Sequence, residues 1–277
     1  MKKYLLFIIS ISLFILNSCF FNPASQKNII KIKGSDTMLK LTTDLAEGFM
    51  KLHPNFSIYV EGGGSATGVQ ALLEGNVDIC TASRTLTPEE VKLLAEKYNL
   101  IGISYLIAKD ALSVYLNNDN PVKNISTENL KKIFTCQIKN WKELGGDDAQ
   151  IEVVIRPPNS GTHLYFQEHV LGGDEYCASA KTEATTNQVI EQVKENKYAI
   201  GYGGIGFKNG IYHSKINGIE PTEKNVLSDK YPISRYLHFY VLNTPEKQIK
   251  EFIEWVVSSA GQEIVRKEGY IPLWEEK

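Results

Sequence analysis

The richest chemistry in the chain lies in "IRPPNSGTHLYF". Arg156 ends an apolar strand pattern, and Pro157 and Pro158 stiffen the step to Ser160, Gly161 and Thr162. A guanidinium fork matches two oxygens of a tetrahedral anion, whereas an ammonium group supplies a point charge. The Ser-Gly-Thr triplet sits where a helix should open. There the first backbone N–H groups lack intrahelical partners, and hydroxyls stand beside them. "GSDTM", with Thr37 and Met38, and "GGGSATG", with Ser65, share this design. A helix amino terminus carries roughly half a positive charge, so each stretch is a candidate anion seat made of neutral groups. Taken singly, each is most simply a helix cap. Their agreement matters because turns of this kind face one crevice in an open α/β sheet. The pattern predicts two seats from one lobe and one from another meeting around a small oxyanion.

Other chemistry fails on spacing. "GYGGIG" fits a dinucleotide fingerprint by its letters, but "FKNGIYHS" follows it and no helix does. "GGGSATGVQ" has phosphate-loop glycines with Val69 in place of the required lysine. Thr67 breaks a nucleophile elbow. Ser160 and His163 lie three residues apart, but no carboxylate is placed to orient His163, which reads as an exposed surface histidine. His53, His163, His169, His213 and His238 lack metal-ligand spacing. The expectation is a binding protein with no catalytic residues, no metal and no cofactor. A secreted hydrolase using Ser160 is a weaker alternative, and a surface protein without transport another.

These seats need a scaffold. "IIKIK" reads as a strand, followed by a helix whose Met38, Leu41, Leu45 and Phe49 recur at helical spacing until His53-Pro54. "FSIYVEG" reads as a strand, "GGSATG" as a turn and "VQALLEGN" as a short helix. "VDICTAS" is a further strand before a helix opened by Thr87-Pro88-Glu89-Glu90, a capping box with proline at its first position. This β-turn-α rhythm signals a parallel sheet covered by helices. "LIAKDALSVYLNND" then shows two β-rich stretches around Lys109-Asp110. Next come a helix in "STENLKKIF", a loop at Trp141, the strand "IEVVIR" and the helix opening at Ser160. A helix near 185–196, the strand "YAIGYGG", the β-rich "YPISRYLHFYVLN" and helices near 245–258 and 261–268 complete the chain. Two long extended stretches bracketing the middle third predict two lobes joined by two crossing strands.

The 277 residues suffice for two α/β lobes. "MKKYLLFIISISLFILNSC" reads as a secretory signal. Its end resembles a bacterial lipobox, with Leu16, Asn17 and Ser18 before an acylated Cys19, although Asn17 is not the usual small residue. Acyl chains on Cys19 would hold the protein at a membrane, each buried methylene contributing about 0.8 kcal/mol. Removal of Lys2 and Lys3 deepens the formal charge of −2, which argues against nucleic acid as a partner. Cys80, Cys136 and Cys177 remain. Cys80 reads as a small buried hydrophobe, and one bridge at most is possible, with a Cys136–Cys177 pairing left open.

From about Ile29 to Pro272 the chain resembles the phosphate-binding lipoproteins that feed ABC-type phosphate importers, within the two-lobed class II periplasmic binding proteins. "KGSDTM", "EGGGSATGVQALLEGNVDICTASR", "LKKIFTCQIKNWKELGG", "IRPPNSGTHLYF" and "YPISRYLHFYVLN" carry the likeness. It implies an α/β fold of two mixed sheets flanked by helices and joined by two hinge strands. The implied division is a signal peptide at 1–18, a tether at 19–28, one lobe from 29–108 with 240–277, and a second lobe at 109–239. Implied phosphate ligands are Thr37, the Met38 N–H, Ser65, Ser83, Arg156, Ser160, Gly161 and Thr162. The implied protein is a monomer on the outer side of the cell membrane or in the periplasm, which hands phosphate to a membrane-embedded permease. Better-known members have an aspartate where Ser83 stands, which accepts the proton of hydrogen phosphate and so rejects sulfate. That difference keeps sulfate or molybdate as alternative ligands, and Asp36 is a possible substitute acceptor, otherwise a helix N-cap or dipole partner. Those members also carry an aspartate two residues after the arginine. Pro158 occupies that place here, so Arg156 is expected to lack that clamp and to place a larger share of its charge on the ligand.

Overall fold

The computed structural model describes residues 28–207, 210–245 and 247–274, so the expected signal, most of the tether and Cys19 lie outside the described residues. Strand β1 (Asn28–Gly34) leads into helix α1 (Asp36–Leu52), whose Met38, Leu41, Leu45 and Phe49 are buried, and His53 caps its end. Strand β2 (Phe56–Glu61) and helix α2 (Ser65–Glu74) follow. The sequence predicts a turn through "GGSATG", but the helix already opens at Ser65. Gly64 makes the turn at φ 99°, while Gly68 lets the helix approach β1, since a Cβ there would lie 2.6 Å from the Lys33 carbonyl oxygen. Strand β3 (Ile79–Ala82) precedes helix α3 (Pro88–Tyr98), which has the predicted Thr87–Glu90 capping box with Pro88 in its first turn.

Strand β4 (Ile103–Leu116) is one continuous element across Lys109-Asp110, where the sequence suggests two stretches. Both charges have partners. Lys109 reaches Asp229 at 2.8 Å, and Asp110 accepts from Arg235 Nε at 3.0 Å. After β4 come β5 (Asn124–Ile125), α4 (Thr127–Phe134), a 3-10 turn at Trp141–Leu144 in the expected loop, and β6 (Glu152–Ile155). Helix α5 (Gly161–His169), β7 (Lys181–Thr182), α6 (Thr186–Glu195) and β8 (Ala199–Gly204) follow. The remainder is β9 (Tyr212–His213), β10 (Lys215–Ile216), α7 (Glu223–Leu227), β11 (Ser234–Val241), α8 (Lys247–Val256) and α9 (Ser259–Lys267).

The strands run β2-β1-β3-β11-β4-β8-β6-β7. Strands β1, β2 and β3 pair in parallel, and β11 is antiparallel to both β3 and β4. On the other side β4 is antiparallel to β8, which is parallel to β6. Strand β4 joins the two mixed sheets by changing partner along its length. Ile103–Ala111 pairs with β11, and Leu112–Leu116 pairs with β8. This makes β4 and β11 the two crossing strands of a two-lobed fold.

Separate cores fill the lobes. Ile30, Leu41, Phe49, Phe239, Phe252 and Val265 pack in one cluster, so the C-terminal helices complete the lobe begun by β1. Trp141, Phe134, Phe166 and Tyr202 belong to a second cluster built from the middle of the chain. Cys136 and Cys177 form a disulfide with Cα atoms 5.2 Å apart, settling the pairing left open above, and Cys80 is free and buried. Among the described residues, no helix is long and apolar enough to cross a membrane.

Candidate functional site

The three glycine-hydroxyl stretches meet. Thr37 lies in the first turn of α1, Ser65 opens α2, and Gly161 and Thr162 open α5. Thr37 Oγ1 and Thr162 Oγ1 are 2.9 Å apart across the lobes. A Cβ on Gly161 would collide with Ser65 Oγ and lie 2.8 Å from Ser83 Oγ. Ser83 follows β3, and its N–H donates to Ser65 Oγ at 3.2 Å. Thr37, Ser65, Ser83, Ser160 and Thr162 are all buried.

These helix starts differ in one respect from five other helix starts among the described residues. The helices after Thr87, Ser126, Thr185, Thr222 and Ser258 have a side-chain oxygen accepting from their first turn. At Ser35, Gly64 and Ser160 no side chain caps the helix. Two of these positions are serines, residues that cap readily, so no side chain takes the first-turn N–H groups there, although the Ala66 N–H donates to the Asn159 carbonyl at 3.2 Å. Met38 is an exception among the expected donors, because its N–H already donates to the Ser35 carbonyl at 3.1 Å.

Arg156 follows β6 and is 1% exposed. Its Nη1 donates to Thr186 Oγ1 at 2.8 Å, and its Nη2 donates to the Ala184 carbonyl at 2.9 Å. Nη2 also donates to Asp36 Oδ2 at 2.7 Å, across the lobes. Contrary to what the lack of a clamp at position 158 suggests, the arginine's charge is therefore not left free for a ligand, because Asp36 pairs with it. With Pro158 beside the arginine, the partner comes from the first residue of α1. Asp36 is fixed from its own lobe, where Oδ1 accepts the Gly63 N–H at 3.0 Å. Burial lowers the pKa of Arg156 and Asp36 opposes the shift, while a guanidinium remains protonated in any case. Among the described residues, Arg156 Nε and Ser83 Oγ are buried without a hydrogen-bond partner. Buried polar atoms are nearly always paired, so both atoms have hydrogen-bonding capacity that the protein itself does not use.

His163 is buried, contrary to the expectation of a surface histidine. Its Nδ1 donates to the Arg156 carbonyl at 2.6 Å, and burial lowers its pKa, so it holds the arginine's backbone as a neutral ring. Sequence reasoning also missed Asn159 and Tyr270. Asn159 Nδ2 donates to the Gly63 carbonyl at 2.9 Å, its own carbonyl accepts from Ala66 N–H at 3.2 Å, and Tyr270 donates to the Thr37 carbonyl at 2.6 Å. Asn159 stands inside the "NSGT" run and was legible as a candidate there, but Tyr270 has no local signal. Among the described residues, no cluster of His, Cys, Asp and Glu could hold a metal ion.

Residues 22–260 match the model of the PBP superfamily domain. The chain is 36% identical over 251 residues to the phosphate-binding protein PstS of Bacillus subtilis, covering 90% of this chain and 82% of that one. It is 32% identical over 263 residues to PstS of Pseudomonas aeruginosa, covering 87% of this chain and 81% of that one. Among solved structures, a phosphate ABC transporter substrate-binding protein of Clostridium perfringens with bound phosphate superposes with a TM-score of 0.83 at 32% identity, covering 89% of this chain and all of that one. An ABC-type phosphate transport receptor of Vibrio cholerae gives 0.73 at 30% identity, covering 87% of this chain and 99% of that one.

Proposed function

The chain belongs to the PBP superfamily, and we propose that within it this protein captures inorganic phosphate between its two lobes and delivers it to a membrane-embedded ABC importer. The observation that carries this reading is the meeting of uncapped helix starts from both lobes, Thr37 against Thr162 and Gly161 against Ser65 and the unpartnered Ser83 Oγ, with Arg156 tied to the first of them through Asp36. Backbone amides and hydroxyls from Thr37, Ser65, Ser83, Ser160, Gly161 and Thr162 would bind the oxygens, with Arg156 supplying the guanidinium. The ligand would bridge lobes 29–108 with 240–277 and 109–239, so its differential affinity for the closed form would drive closure. Binding is reversible, with no bond made or broken and no cofactor used. An acylated Cys19 would hold the protein as a monomer at the outer face of the membrane, beside its permease. The P. aeruginosa and B. subtilis relatives are named phosphate-binding proteins, and the C. perfringens relative was solved with phosphate, which supports the ligand's identity.

Calorimetric titration of the phosphate-free protein tests the reading. One saturable phosphate site per chain, with no product released on long incubation, is the expected result. Tighter binding of sulfate or molybdate than of phosphate would overturn it.

A further inference from the structure

We propose that Asp36 is a positioning residue of this site, a cross-lobe latch whose carboxylate holds Arg156 when the lobes are closed. The inference deepens the phosphate-binding reading and rests on it for its biological purpose. An acidic residue in the first turn of a helix is favourable on dipole grounds alone. The dipole, however, does not require the second carboxylate oxygen to reach the other lobe. Oδ1 is held by the Gly63 N–H, which leaves Oδ2 aimed at Arg156 Nη2 at 2.7 Å. The guanidinium is likewise aimed by its own lobe, through Thr186 Oγ1 and the Ala184 carbonyl. Because each partner is fixed before they meet, little side-chain freedom is lost in forming the pair.

Three other contacts cross between the lobes beside it: Thr37 with Thr162, Asn159 Nδ2 with the Gly63 carbonyl, and the Ala66 N–H with the Asn159 carbonyl. Of these four, the Asp36–Arg156 pair alone joins full charges, and it is well buried, at 12% and 1% side-chain exposure. When the lobes part, both charges return to water. When they close without Asp36, the guanidinium is buried with no carboxylate beside it, which destabilises the closed form relative to the open one. Asp36 therefore biases the lobes towards closure before any anion contributes. It also balances the charge of Arg156, leaving the uncapped amides and hydroxyls to do much of the binding.

Hydrogen exchange of the full chain, dialysed free of phosphate and read by mass spectrometry, tests the latch. Asp36→Asn keeps an acceptor for the Gly63 N–H and removes the charge. It should speed exchange at the amides of 63–66 and 159–162 about tenfold, the middle of the range for coupled charged groups. Strands β1 and β8 should exchange as in the wild type. Arg156→Gln removes the other charge and should give the same pattern, so it carries the test if Asp36→Asn does not fold. Unchanged exchange at the cross-lobe segments, or an equal rise in β1 and β8, overturns the latch. No phosphate is present, so this result is independent of the calorimetric titration on which the ligand assignment stands.

Discussion

Thr37 and Thr162, 125 residues apart in sequence, bring their hydroxyls to within 2.9 Å where two helices from opposite lobes begin. Neither helix has a side-chain cap at its start. The contact therefore joins two sets of helix-start amides at the place where an anion would be held.

Arg156→Ala should weaken phosphate binding by about 2–5 kcal/mol, the usual cost of stranding one side of a buried charged pair. Arg156→Lys should fall between the two, since it keeps the charge and loses the fork. Calorimetry at equal ionic strength measures both, and an unchanged affinity in Arg156→Ala would remove the guanidinium from the site.

Gly161→Ala tests the close approach of the lobes. The new methyl would press on Ser65 Oγ and Ser83 Oγ from across the cleft. Overpacking of this kind typically costs about 1–3 kcal/mol, and here it should fall on closure more than on folding. Phosphate affinity should drop at least about fivefold for a cost at the lower end of that range, with a melting temperature close to that of the wild type. Full affinity in this variant would mean the lobes bind phosphate without meeting at Gly161.

Ser83→Ala should have opposite effects on stability and affinity. Its hydroxyl is buried and unpartnered, so removing it should leave the ligand-free protein as stable or up to about 1 kcal/mol more stable. Phosphate binding should weaken by a similar amount as one hydrogen bond is lost. Urea unfolding without phosphate and calorimetry with it measure the two sides. A loss of stability with no loss of affinity would make Ser83 a packing residue.

Local patterns carried much of this into the sequence. The Thr87 capping box, the apolar spacing of Met38, Leu41, Leu45 and Phe49, and the Gly-Ser/Thr helix starts are all set within one or two turns of chain. The Arg156–Asp36 pair spans 120 residues, and nothing near either residue announces the other. His163 reads as exposed because one polar residue in a helix start gives no sign of what covers it, yet its ring lies 4.3 Å from that of Tyr176. The Lys109-Asp110 charges similarly masked the continuity of β4, since their partners Asp229 and Arg235 come more than a hundred residues later.

His238 makes stability depend on pH in a defined window. Its Nδ1 lies 2.9 Å from Ser104 Oγ, and burial, aided by the charge of Arg235, pulls its pKa from 6.5 down to about 4. Between those values the unfolded chain binds a proton that the native ring refuses. Stability from this group is therefore complete above about pH 6.5 and is lost as the pH falls towards 4, at about 1.4 kcal/mol per pH unit. Urea unfolding across that range should show a shallower decline for His238→Gln than for the wild type. Carboxylate protonation acts on both proteins and cancels in the comparison, so the difference in slope isolates His238. Equal slopes would mean that the wild-type ring takes up its proton without unfolding, and burial would then not be holding it neutral.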